Sequence, residues 1–168
     1  KRSMTLDLKQ PEGREIFFHM AQTADVVAQN FRVGVVEKLG IDYEAVKKVN
    51  PKIVYASVSG FGPKGPDAKD GVFDILGQAR GGFMYMQSVS LPDTRYITQG
   101  GLADQTGAIT LAQGILLGLL ARERYGIGQH IETSQLGALL MLQTLAINGY
   151  LLNNEPPKAR YREQMHNP

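Results

Sequence analysis

The run Gly100-Gly101-Leu102-Ala103-Asp104-Gln105-Thr106-Gly107-Ala108 sets one carboxylate between a glycine pair and the start of a long apolar-striped segment. Backbone N–H groups at a helix N-terminus are unpaired and carry partial positive charge, so an anion placed there is stabilised and aimed outward. Such an acid suits nucleophilic attack. It equally suits a plain helix cap, because Asp is a favoured N-cap residue. Gly100-Gly101 argues for chemistry: two glycines let backbone and ligand approach closely, which a cap does not require.

Other candidate constellations are weaker. Gly60-Phe61-Gly62-Pro63-Lys64-Gly65 matches G-x-G-x-x-G after a strand-like run. A dinucleotide fingerprint needs those glycines to open a helix, with an acid about 20 residues on. Pro63 and Pro66 interrupt the segment, so it reads as a loop able to close over a ligand. Ser57 and Ser59 lack the G-x-S-x-G frame of a nucleophile elbow, so serine hydrolase chemistry is set aside. His19, His130 and His166 are far apart and not at metal-ligand spacing, so no metal site is expected; His19 reads as a surface residue. Asn30-Phe31-Arg32-Val33-Gly34 follows a β-branched run, where open α/β sheets bind ligands. There Arg32 and Lys38 could reach phosphates and Phe31 could stack on a base; the same residues could also be an ordinary surface loop.

Composition narrows the classes. At 43% hydrophobic and 20% charged residues, the 168-residue chain is globular and long enough for a full core. A net charge of +2 without a basic block argues against nucleic-acid binding. Cysteine is absent, which excludes thiolate chemistry and fits a reducing cytoplasm. No signal-peptide pattern opens the chain, and the apolar stretch Leu136 to Leu152 is interrupted by Gln143, Thr144 and Asn148, so no membrane span is expected. A strand under way at Ser3 and a polar stop at Met165 to Pro168 suggest that the protein extends in both directions.

These residues need elements to hold them. Met4, Leu6 and Leu8 alternate with polar residues, as in a half-buried strand. Pro11-Glu12-Gly13 opens a helix carrying Ile16, Phe17, Met20 and Ala21. Strands are expected at Ala24 to Ala28, Lys52 to Ser59 and His130 to Thr133. Helices are expected at Val35 to Leu39, ending on Gly40, and at Tyr43 to Val49, capped by Asp42. Phe73 to Ala79 is a further helix, stopped by Gly81-Gly82, while 83–99 is a hairpin or irregular. The helix after Asp104 carries Ile109, Ala112, Leu116, Leu119 and Leu120 on one stripe. Gly107, Gly114 and Gly118 on another invite a neighbouring backbone, and Arg122 and Arg124 complement the helix end. Leu136 to Leu152 reads as one helix, apolar nearly all round and so destined for a large core or a subunit interface. Strands alternating with helices give an α/β fold with a parallel sheet.

Taken in order, these motifs resemble the family III CoA-transferases, a group that includes carnitine and formyl-CoA transferase-like proteins and α-methylacyl-CoA racemase-like proteins. The markers are Leu6-Asp7-Leu8-Lys9, Ala24-Asp25-Val26-Val27, Asn30 to Gly34, Leu39-Gly40, Asn50 to Ser57 and Ser59 to Gly62, then Gly65-Pro66, Phe73-Asp74, Gln78-Ala79, Gly81-Gly82, Ala103-Asp104 and Gly126 to Gln129. The resemblance runs through nearly the whole chain. It implies the central part of a Rossmann-like large domain, in a subunit that interlocks with a second copy as a homodimer. It places the family's nucleophile on Asp104 and a supporting acid on Asp74. Coenzyme A, a substrate and not a tightly bound cofactor, falls to Asn30, Phe31, Arg32, Gly34, Lys38, Gln78 and Ala79. Lys38 stands where many members have Arg, and Val33 where many have Pro. A glycine-rich loop that some members use for oxyanions would fall beyond residue 168.

The implied reaction moves CoA between an acyl-CoA and a small carboxylic acid through an aspartyl-CoA thioester. Racemisation of an α-methylacyl-CoA is the alternative, and it requires two acid/base groups flanking the α-carbon. The racemase-like branch has a His before the acid matching Asp74; here that position is Phe73, which cannot transfer a proton. A non-catalytic CoA- or nucleotide-binding module is the remaining reading.

Overall fold

The computed structural model describes residues 2–89 and 98–158. Three parallel strands, β1 (Val26–Gln29), β2 (Val54–Ser59) and β3 (Gln129–Ser134), stand in the order β1-β2-β3. Helices cross between them: α1 (Pro11–Thr23) precedes β1, and α2 (Val35–Leu39) and α3 (Tyr43–Val49) join β1 to β2. Between β2 and β3 lie α4 (Asp74–Arg80), α5 (Phe83–Gln87) and the long α6 (Leu102–Tyr125); α7 (Gln135–Leu142) and α8 (Thr144–Asn153) follow β3. The expected α/β class with a parallel sheet and flanking helices is what forms.

The central strand is buried on both faces, as parallel strands are. On one face Ile53 and Tyr55 pack with Ala21 of α1 and Val46 of α3. Asn50 ties these parts together: its Nδ2 donates to the carbonyls of Ala21 and Ala24, each at 2.9 Å, and its Oδ1 accepts from the Lys52 N–H. The other face of the sheet receives α6 through its glycines. A Cβ on Gly114 would lie 2.6 Å from Ile131 Cγ2, and one on Gly118 would lie 3.0 Å from Val54 Cγ1. The glycine stripe thus seats α6 on strand side chains, whereas Ile109, Leu116 and Leu120 point outward and are exposed.

Tyr55 is 1% exposed and donates to the Ile41 carbonyl at 2.9 Å. Burial, then the nearby carboxylates of Asp42 and Glu37, push its hydroxyl up from 10.0 to about 12. The folded protein therefore holds this proton more tightly than the unfolded chain does. The resulting stability is complete below pH 10 and disappears as pH rises towards 12. That loss should be on the order of 3 kcal/mol in denaturant melts across this window, and Tyr55→Phe should flatten it.

Several expectations are corrected. Residues 3–8 form no strand: among the described residues β1 pairs with β2 alone, and Asp7 starts a turn instead, accepting from the Lys9 N–H at 3.0 Å. Residues 83–87 are helical and not a hairpin; the rest of 83–99 up to residue 97 falls largely outside the described residues. The single helix expected over Leu136 to Leu152 is two, bent by 70° at Gln143. Gln143 is buried and donates to the Gly81 carbonyl at 2.8 Å and the Leu139 carbonyl at 3.1 Å, which ends α7 there. Nor is the pair wholly buried: α8 has no buried residue, and Leu145 is 91% exposed. Among the described residues no single helix is long and apolar enough to cross a membrane.

Candidate active site

Parallel strands point their C-terminal ends the same way, and the loops leaving them meet in one cleft. Its volume is about 570 Å³. Asn30, Phe31, Arg32 and Val33 leave β1, Val58 and Ser59 end β2 with Gly60 just beyond, and Gln135 leaves β3; Asp70, Phe73 and Asp104 are also in the lining. The structure therefore brings the Asn30–Arg32 segment and Asp104, 72 residues later, to one place.

Asp104 does not cap its helix. Gly101 is the N-cap of α6, at φ 74°, and Gly100 stands at φ 92°. Both conformations favour glycine, so the pair is demanded by the backbone itself. Gln105 pins the turn, its Nε2 donating to the Gly100 carbonyl at 2.7 Å. The cap comes from another element. Asp74, first residue of α4, accepts from the Ala103 N–H at 2.6 Å and the Asp104 N–H at 3.1 Å through Oδ1. Its Oδ2 accepts from Gln78 Nε2 at 2.7 Å. With glycine at the N-cap, the orphan donors of α6 are met by a carboxylate reaching across from α4.

This arrangement frees Asp104. Its Oδ1 accepts a hydrogen bond from Gln135 Nε2, and its Oδ2 has no partner among the described residues. One oxygen is held, the other faces the cleft from the first turn of a helix. The constellation can present a fixed carboxylate to an electrophile, and the helix end favours the anion.

The other site residues divide. Gln29 anchors the loop after β1: its Oε1 accepts from the Phe31 N–H at 2.7 Å, and its Nε2 donates to Ser57 Oγ at 2.8 Å. Arg32 lies against Gly71, where a Cβ would come 2.4 Å from its Nη2. Gly34 caps α2 at φ 87°. Lys38 is exposed on α2 and does not line the cleft. Gln78 is fully buried, with both ends of its amide engaged: besides Asp74, it pairs with the Thr98 carbonyl at 2.9 Å and the Thr98 N–H at 3.0 Å. Ala79 lines a neighbouring depression with Phe61 and Arg80.

Two features escaped sequence reasoning. Ser57 and His130 meet, Oγ to Nε2 at 2.9 Å, because β2 and β3 pair in a register that sets Tyr55 beside His130. His130 is stacked on Tyr43 at 5.2 Å, and no acid completes a triad among the described residues. Among those residues no three His, Asp or Glu side chains are grouped as a metal would require. Gln135 is not singled out by the apolar run, which begins only at Leu136. Ser134, whose Oγ accepts from the Gly137 N–H at 3.0 Å, is the N-cap signal that places Gln135 at a strand end.

Against known proteins, a family model described as CoA-transferase family III matches residues 1–168. The acetyl-CoA:oxalate CoA-transferase of Acetobacter aceti is 43% identical over 146 residues, 85% of this chain and 37% of that protein. The succinate–glutarate CoA-transferase of Agrobacterium fabrum is 37% identical over 161 residues, 94% of this chain and 39% of that protein. The crystal structure of a CAIB/BAIF family protein from Brucella suis matches with a TM-score of 0.85 at 35% identity, covering 94% of this chain and 42% of that one. The chain thus spans about two-fifths of the length of these proteins.

Proposed function

Because the chain belongs to CoA-transferase family III, we propose that the whole protein moves coenzyme A between an acyl-CoA donor and a small carboxylic acid, with Asp104 as the nucleophile. The observation that carries this reading is the placement of Asp104: its helix is capped by Asp74, one oxygen is held by Gln135, and the other opens on a cleft at the C-terminal edge of the sheet. With the cap supplied by Asp74, Asp104 keeps one oxygen for bond making.

In the proposed reaction Asp104 Oδ2 attacks the thioester carbonyl carbon. The C–S bond breaks and a mixed anhydride forms, with CoA thiolate released. The thiolate attacks Asp104 Cγ, and the donor acid departs carrying Oδ2. An acceptor carboxylate then reverses the sequence and leaves as its CoA ester. No external base is needed, because every attacking group is already an anion. The CoA moiety runs along the loop after β1, where Phe31 and Arg32 line the cleft. Gln78 serves from inside, by holding Asp74. Phe73, 77% exposed at the cleft, offers an apolar wall and no proton carrier, which supports transfer over racemisation.

The full-length protein incubated with acyl-CoA should carry an adduct on the peptide containing Asp104, which hydroxylamine removes. Mass analysis that finds this peptide unmodified under turnover would overturn the reading.

A further inference from the structure

Gln135 is not explained by the fold alone. It is the first residue of α7, one step past the end of β3, and its Nε2 donates to Asp104 Oδ1. Its stem is clasped by two glycines. A Cβ on Gly107 would stand 3.5 Å from Gln135 Cγ, and one on Gly77 would stand 3.4 Å from Gln135 Oε1. That Oε1 is buried and has no hydrogen-bond partner among the described residues. A buried amide oxygen without a partner carries an energetic cost, so it calls for a reason. Turning the amide over would set Oε1 against the Asp104 carboxylate and bury the donor instead. The observed orientation spends the only useful donor on Asp104 and accepts the unpaired oxygen.

We infer that Gln135 is an oxyanion donor in the half of the reaction where Asp104 is itself attacked. The inference rests on the reading of Asp104 as the nucleophile. With Oδ1 held, Oδ2 forms the new bond to the acyl carbon, and the anhydride is Cγ(=Oδ1)–Oδ2–C(=O)R. When CoA thiolate adds to Cγ, the C=O electron pair moves onto Oδ1, where Gln135 Nε2 already points. Collapse restores Cγ=Oδ1, breaks Cγ–Oδ2 and releases the acid. The acceptor carboxylate later attacks the same Cγ through the same oxyanion and expels the thiolate. A donor aimed where charge develops is worth more in the transition state than in the ground state. Attack by Asp104 on the acyl carbon gains nothing from this group, since that charge develops on the substrate.

The two halves can be separated with acetyl-CoA as the probe. The full-length enzyme, without acceptor acid, is quenched over milliseconds to seconds and the Asp104 peptide weighed. The native protein should accumulate the CoA adduct. Gln135→Met keeps the length of the side chain without the donor, so the acetyl adduct should persist and the CoA adduct form about 100-fold more slowly. Gln135→Glu, of the same shape but without a donor, should slow the same step. Stability gives an independent readout. Removing an amide whose oxygen is unpaired should leave the melting temperature of Gln135→Met at or above the native value. A CoA adduct formed at the native rate overturns the inference, and so does a marked fall in melting temperature, which would make the side chain structural. Absence of any adduct on native Asp104 would instead remove the underlying nucleophile assignment.

Discussion

Asp104→Ala should abolish CoA transfer in the full-length protein, by about 10,000-fold or more, while leaving the fold nearly untouched. The activity loss follows because, among the described residues, Asp74 has both oxygens committed to hydrogen bonds, and Asp70, which also lines the cleft, lies on the loop after β2 without the helix N-terminus and the Gln135 donor that fix Asp104. The small structural effect follows from where the cap comes from. Asp104 accepts no hydrogen bond from its own helix, so alanine removes only an exposed acid near the positive end of α6, worth about 0.3–1 kcal/mol. Gln135 Nε2 loses its acceptor but lies at the cleft edge, where water can replace it. Steady-state exchange of a labelled acid into its CoA ester, paired with a thermal melt, checks both halves. Appreciable residual exchange would sink the assignment, because nucleophile loss leaves only the contribution of binding.

Asp74→Ala should fail differently, losing both activity and stability. It removes the acceptor for the Ala103 and Asp104 N–H groups and one partner of the fully buried Gln78 amide. Loss of a helix cap costs about 1 kcal/mol, and a buried donor left with fewer partners about 1–3 kcal/mol. The first turn of α6 then frays, and Asp104 moves with it. A displacement near 1 Å at a reacting group can cost about 100-fold in rate. Asp74→Asn keeps the Oδ1 acceptor for α6 and sets an N–H₂ against Gln78, so it should fall between native and alanine in both measures. Equal melting of the native and alanine proteins would mean that α6 does not depend on this cap. The two acids should thus separate by experiment: loss of Asp104 removing activity without stability, loss of Asp74 removing stability and, through it, activity.

Much of the local structure is legible in the chain. Asp42 caps α3 by accepting from the Ala45 N–H, Gly40 ends α2 in the left-handed region, and the β-branched run before Ser59 forms the central strand. These signals act within a few residues, through φ preferences and single hydrogen bonds, and a sequence displays them directly. Strands alternating with helices then leave little choice but a parallel sheet. The order of motifs marks the family for the same reason: it is a linear property.

Where the signal depended on a distant partner, reading along the chain fell short. The alternation at Met4, Leu6 and Leu8 resembles a strand, but among the described residues no strand pairs with it. One apolar stripe of α6 looks like its core face, yet the glycines seat against Val54 and Ile131 and that stripe stays exposed. Helix periodicity gives two faces, and which one the sheet accepts is a packing decision.

By itself, then, the sequence determined most of the elements, the parallel α/β class, the glycine pair and the acid worth testing. The tertiary structure alone decided how that acid is held. Asp74 and Asp104 are 30 residues apart, and Gln135 a further 31. Only folding could hand the cap to Asp74, give Gln135 one oxygen of Asp104 and leave the other open, because hydrogen bonds are satisfied in space and not along the chain.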